Sequence, residues 1–153
     1  MAKRRTAVQE RGPVLDDLLC FSLYTASRAV TRAYGPVLAE LGLTYPQWVT
    51  MVALWESDAP QTVGELGRRL RLDSGTLTPL LKRLEADGLV TRTRDAADER
   101  RVLVEVTDAG RALRRDACDV PQRIATAFDG DMAAIADLKR RVDQLVAALE
   151  GGS

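Results

Sequence analysis

The chain has 153 residues, 46% hydrophobic and 29% charged, with 22 basic and 22 acidic side chains and a net charge of zero. That is enough for one domain with a hydrophobic core, and it argues against general disorder and against a generally sticky polycation. There is no histidine, and the two cysteines, Cys20 and Cys118, stand far apart. This excludes imidazole catalysis and His-based triads, leaves no metal-ligand set, and implies no cofactor. Too few thiols for a disulfide framework point to a reducing, cytoplasmic setting. No apolar run approaches the ~20 residues of a membrane helix, so no membrane partner is expected.

The start, MAKRRTAVQERGP, is basic and lacks the apolar stretch of a secretory signal. Residues 1–13 read as a flexible basic arm. Pro13 suits a first helical turn, and Leu15, Leu18, Leu19, Leu23, Ala26 and Ala29 follow helical spacing to about Tyr34. Gly35-Pro36 is expected to break or kink that helix. Thr44 and Gln47 form a capping-box pattern ahead of a helix through Trp48, Met51, Val52, Leu54 and Trp55. SDAPQ reads as a loop. Thr62 and Glu65 form a second capping box, opening a short helix through Leu66 and Leu70. Next comes SGTLTPLLKRLEAD, whose Leu77, Leu80, Leu81 and Leu84 share one face. Pro79 predicts a late start near Thr76 or a local distortion, and Gly88 ends the helix.

The period then changes. Residues 89–94 and 102–106 read as two short strands around the charged tip DAADERR. Thr107 caps a helix through Leu113, Ala117 and Val120, with Pro121 as a kink, and a last helix runs from Met132 to Leu149. Three helices and a hairpin make a winged helix-turn-helix. The fold class is mainly α with a small β-hairpin. Residues 14–45 are assigned to an N-terminal dimerisation and sensor helix, 46–106 to the DNA-binding unit, and 107–150 to C-terminal dimerisation helices. The flanking helices have apolar faces too narrow to form a second domain alone. They make sense if two copies interleave them, giving an intertwined homodimer.

In such a motif the second helix presents polar residues to the major groove. Ser74, Thr76, Thr78, Lys82 and Arg83 lie off the leucine stripe and are the candidates, with Ser and Thr suited to bases or phosphates and the cations to phosphate. The hairpin adds Arg92, Arg94, Arg100 and Arg101, and a basic turn of this size can enter the minor groove. The alternative is a solvated hairpin in which Asp95, Asp98 and Glu99 simply pair the arginines.

LDSGTLTPLLKRLEADGLVTRTRDAADERRVLVEVTDAGRAL resembles the recognition helix and wing of MarR-type repressors. LCFSLYTASRAV, together with LGLTYPQWVTMVALWE, is similar to one branch of that family, the OhrR organic-hydroperoxide sensors. The resemblance spans about residues 14–149. It implies a repressor that binds a pseudo-palindromic double-stranded operator as a homodimer, with organic hydroperoxides as inducers and Cys20 as the redox-sensing thiol.

From the residues alone, Cys20 lies among Leu18, Leu19, Phe21 and Leu23 and reads first as an inert packing cysteine, since most lone cysteines in such surroundings are packing residues. No cation is near in sequence; Arg28 is two turns on, and the start of the expected helix lies several residues back. Phenol donors are the remaining candidates: Tyr24, one turn later, and Tyr34 and Tyr45. The resemblance implies that tyrosines matching Tyr34 and Tyr45 reach the cysteine of the partner subunit, where O–H donors favour charged sulfur. It leaves two fates for the oxidised sulfur. Cys118 closes an intersubunit disulfide, although the usual second cysteine of the family matches a position near Ala125; or a low-molecular-weight thiol caps a one-cysteine sensor.

Three rivals remain. A MarR-type repressor would be gated by a reversible aromatic ligand, with Cys20 structural. A thiol peroxidase is disfavoured, since no T-x-x-C, C-x-x-C or βαβ pattern is present, so no enzyme is expected. An architectural DNA-binding module would leave the flanking helices without a role beyond dimerisation.

Overall fold

A computed structural model describes residues 12–128 and 130–151. Most of the expected basic arm, residues 1–11, lies outside the described residues. A 3-10 turn, Leu15–Asp17, leads into α1 (Leu19–Glu40), then α2 (Tyr45–Trp55), β1 (Gln61–Thr62), α3 (Val63–Leu70), α4 (Ser74–Ala86), β2 (Val90–Arg94), β3 (Val102–Val106), α5 (Asp108–Asp116), α6 (Val120–Ala125), a second 3-10 turn (Thr126–Phe128) and α7 (Met132–Glu150). None of these helices is long and apolar enough to cross a membrane.

The helix starts are written in the caps. The side chains of Thr44 and Thr62 accept from the backbones of Gln47 and Glu65, which reach back to the cap backbones, so both capping boxes form. Asp73 accepts from the Thr76 N–H at 2.8 Å, which lets α4 begin at Ser74, earlier than Pro79 led us to expect. Leu77, Leu81 and Leu84 are fully buried along it, enough apolar area to outweigh the one backbone bond the proline removes. At its other end Gly88, at φ 74°, closes a Schellman turn. The Gly88 N–H donates to Glu85 at 2.9 Å and the Leu89 N–H donates to Leu84 at 3.0 Å.

Three elements differ from the sequence reading. First, α1 starts at Leu19, after the 3-10 turn, and runs unbroken through Gly35-Pro36. Beyond the proline, Leu38 is 1% exposed and Val37 packs against the core, so tertiary burial holds the helix together despite the lost bond. Second, Gln61 from the SDAPQ loop joins the cap residue Thr62 in a third strand, paired antiparallel with Val104 and Leu103, so the sheet order is β1-β3-β2. Third, the helix after Thr107 stops at Asp116, and Pro121 sits at the start of α6 instead of kinking one continuous helix.

The core lies where α2, α3, α4 and the sheet meet: Met51, Leu54, Leu66, Leu77, Leu81, Leu84, Val90 and Val104. Trp55 crosses from α2 to α5, donating its indole N–H to the Gly110 carbonyl at 3.0 Å in a buried setting. Gly110 is there because nothing larger fits: a Cβ would lie 2.3 Å from the Leu89 oxygen. By contrast, α7 buries no residue against its own chain. Met132, Leu138 and Leu149 are exposed on it, as are Val14, Leu15, Leu19 and Phe21 near the other end of the chain.

Candidate functional site

Two groups of residues carry chemistry: a basic face on the winged helix, and a thiol and tyrosine system on α1 and α2.

The turn between α3 and α4 is tight. Arg71 adopts the left-handed conformation (φ 55°), and the Leu72 N–H donates to Gly67 at 2.9 Å. This sets α4 with its leucines inward. Ser74, Thr76, Lys82 and Arg83 are exposed on the opposite side and Thr78 is half-buried. The wing is an ordered hairpin, with Arg94 paired to Val102 and its tip closed by the Asp95 N–H donating to Arg101 at 3.0 Å. Arg94, Arg100 and Arg101 are exposed at that tip. Arg94 donates to the Glu99 carbonyl at 3.0 Å, and Arg101 stands 3.7 Å from the Asp95 carboxylate. Pairing by the tip acids is therefore partial: among the described residues no ion pair engages Arg100.

Arg92 stands apart from the other wing arginines. Its side chain is 22% exposed and turned to α4, where Glu85 holds it at 2.7 Å. Together these elements enclose an open groove of about 510 Å³ lined by Glu65, Arg68, Thr78, Arg92, Arg100 and Arg101. Arg68 was not singled out in the sequence, because it lies on α3. Only the three-dimensional approach of α3 to the wing brings it to this face.

Cys20 is the second residue of α1 and is exposed. The sequence placed the helix start several residues earlier, with its dipole faded at Cys20. The 3-10 turn moves that start forward, so the thiol sits in the first helical turn, where the macrodipole favours negative charge. Tyr24 follows one turn on, and Arg28 folds back over it. The Arg28 guanidinium donates to the Tyr24 oxygen at 3.4 Å, with its central carbon 5.5 Å from the ring centroid. This cation, dismissed on sequence distance, joins the same helical stripe as the thiol.

Tyr34 and Tyr45 meet edge to face, ring centroids 5.2 Å apart. Burial, and next the neighbouring Tyr45, push the Tyr34 phenol above its ordinary value, so it remains a protonated O–H donor at neutral pH. Fourteen residues of unbroken helix separate Cys20 from Tyr34, about 21 Å at 1.5 Å per residue. Within one chain the thiol does not reach this pair. Cys118 is exposed at the edge of a different feature. This is an open, mostly apolar groove of about 420 Å³ lined by Trp48, Val52, Trp55, Ala117 and Pro121, with Arg114 and Arg115 on its margin.

The winged helix and its basic face define a DNA-binding transcriptional regulator. A family model for the transcriptional regulators SarA/Rot matches residues 32–116. The organic hydroperoxide resistance transcriptional regulator of Bacillus subtilis is 48% identical over 110 residues, 72% of this chain and 74% of that protein. Among solved structures, AbfR of Staphylococcus epidermidis is similar at 36% identity and a TM-score of 0.71, over 94% of this chain and 95% of that one. AbfR has also been captured reduced and overoxidised on DNA, and in a disulfide-formed state. CouR from Rhodococcus jostii RHA1, bound to p-coumaroyl-CoA, is similar at 26% identity and a TM-score of 0.74, over 89% of this chain and 96% of that one. The chain belongs to the SarA/Rot and MarR group of winged-helix transcriptional regulators, with an organic hydroperoxide resistance regulator among its relatives.

Proposed function

We propose that this protein is a cytoplasmic repressor that binds a pseudo-palindromic operator as a homodimer and releases it when an organic hydroperoxide oxidises Cys20. The observation that carries the reading is the exposed thiol in the first turn of α1. Tyr34 stands too far along the same helix to serve it and Tyr45, on α2, packs against Tyr34, which leaves that role to the Tyr34 and Tyr45 of a second copy. The unpartnered apolar surface of α7 and of residues 14–21 supports such a copy, and AbfR, similar over nearly the whole chain, is known in several oxidation states.

In this mechanism the thiolate attacks the peroxide O–O bond. Sulfur takes one oxygen and becomes sulfenic acid, while the alkoxide leaves and is protonated to the alcohol. The helix N-terminus and the phenol O–H groups hold the anionic sulfur beforehand. Oxidation removes that charge, α1 shifts against the partner, and the spacing of the two α4 helices no longer matches half-sites about one turn apart. Residues 46–106 supply the DNA grip, and residues 14–45 and 107–150 the dimer. The sulfenic acid ends either as a disulfide with Cys118 or as a mixed disulfide with a low-molecular-weight thiol.

Cumene hydroperoxide is expected to abolish operator binding by the wild type and leave Cys20→Ser bound, read by fluorescence anisotropy. Equal release of both would sink the redox reading. A second reading is favoured by the Trp48, Val52 and Trp55 groove with its two marginal arginines, and by the ligand held by CouR. Under it, an aromatic carboxylate releases DNA reversibly from wild type and Cys20→Ser alike.

A further inference from the structure

The carboxylate of Glu85, on the last turn of α4, makes three hydrogen bonds to one residue of the wing. Its Oε1 accepts the backbone N–H of Arg92 at 3.0 Å, and its Oε2 accepts Nε and Nη2 of the same residue at 3.0 and 2.7 Å. The first bond matters as much as the ion pair. β2 lies at the edge of the sheet, and its outward N–H at Arg92 finds its partner in a side chain of the recognition helix. The guanidinium fork then fixes the orientation of that carboxylate. The Arg92 side chain holds the Glu85 carboxyl below its ordinary value, so the pair is ionised at neutral pH.

Only seven residues separate the two partners, and the Schellman turn at Gly88 lies between them. The end of α4 and the start of the wing are therefore tied at two points. Two positions beyond Arg92 the exposed arginines of the tip begin. Their placement relative to Ser74, Thr76 and Lys82 depends on the angle between helix and hairpin.

We propose that Glu85 is a positioning residue for DNA binding: through Arg92 it locks the wing to the recognition helix, so that major-groove and wing contacts engage as one rigid unit and Arg92 itself makes no DNA contact. The proposal rests on the DNA-binding reading above and deepens it. Val90, Val104 and Val106 anchor the hairpin to the core independently, so breaking the clasp changes the wing angle and leaves the fold in place.

The test uses a duplex selected from a random-sequence library by the wild-type protein, with dissociation constants measured over a range of salt concentrations. Glu85→Gln and Arg92→Ala are each expected to weaken binding about tenfold, with a salt slope shallower by about one or more ions as the tip arginines lose their phosphates. Thermal melts stay cooperative. The double variant binds no worse than either single one, and hydrogen exchange at the Arg92 amide accelerates in Glu85→Gln. If that variant loses cooperative melting, Glu85→Asp, which keeps the charge at shorter reach, gives the same readings in milder form. Wild-type affinity and slope in the Glu85 variants would overturn the proposal. So would a further loss on adding Arg92→Ala to Glu85→Gln, since Arg92 would then be touching DNA itself. If the wild type selects no duplex, the DNA-binding reading fails first and takes this proposal with it.

Discussion

At the scale of single residues, what a side chain can do here depends on which neighbour already holds it. Four arginines of the hairpin look equivalent in the sequence. In three dimensions Arg92 is held by Glu85, Arg101 faces Asp95, Arg94 braces the tip through the Glu99 carbonyl, and Arg100 is exposed without an ion pair among the described residues. Arg94→Ala is expected to weaken operator binding by about 1–3 kcal/mol if its guanidinium enters the minor groove, measured by anisotropy; an unchanged affinity would take the tip out of the contact. Tyr34→Phe removes a protonated donor and is expected to slow the reaction of Cys20 with peroxide while DNA binding by the reduced protein persists, followed by stopped-flow thiol consumption. The leucine stripe of α4 was legible because burial follows a period of 3.6. The Glu85 clasp was not, because a seven-residue spacing across a turn carries no contact until the angle between helix and strand is known.

At the scale of elements, caps were the most readable signals and proline the least. Both Thr boxes and the Gly88 stop are local hydrogen-bond chemistry, complete within four or five residues, so their sequence is sufficient. Pro36 and Pro79 were weighted by their local cost, and burial of Leu38, Leu77 and Leu81 overrode it. The two-residue β1 has no periodicity to read and exists only because β3 offers it an edge. The same limitation moved the start of α1, and with it the electrostatic setting of Cys20. Packing between elements gives its own prediction. In Gly110→Ala the new methyl would meet the Leu89 carbonyl and Val106 at under 3 Å. That forces α5 off the sheet and the Trp55 indole off its acceptor. A loss of more than about 2 kcal/mol in denaturant unfolding is expected.

For the molecule as a whole, one chain is an incomplete body. Its winged-helix half has a closed core, whereas α7 has none of its own residues buried. Leu138→Asp is expected to shift the protein from dimer to monomer in light scattering and to lower operator affinity, with the 46–106 unit still folded by circular dichroism. Acid acts through Glu40, Glu65 and Glu85. Each is held below its ordinary value: Glu40 first by the Arg123 side chain, Glu65 by the Thr62 backbone and Glu85 by the Arg92 side chain. Because the folded values are depressed, these groups stabilise the protein above the ordinary glutamate range. That contribution fades as pH falls below about 4.3, so urea midpoints should drop there and stay level between pH 6 and 8.

The unbroken length of α1 has a genetic consequence under the proposed mechanism. If each sulfur is served by rings from the opposite copy, the two defects Cys20→Ser and Tyr34→Phe/Tyr45→Phe sit on different halves of one reaction centre. Mixing subunits that carry one defect each restores a single intact centre in every hybrid pair, whereas either defect alone in a homogeneous preparation restores none. The single thiol of a co-expressed hybrid should therefore react at the wild-type rate, whereas the two thiols of a Tyr34→Phe/Tyr45→Phe homodimer react slowly.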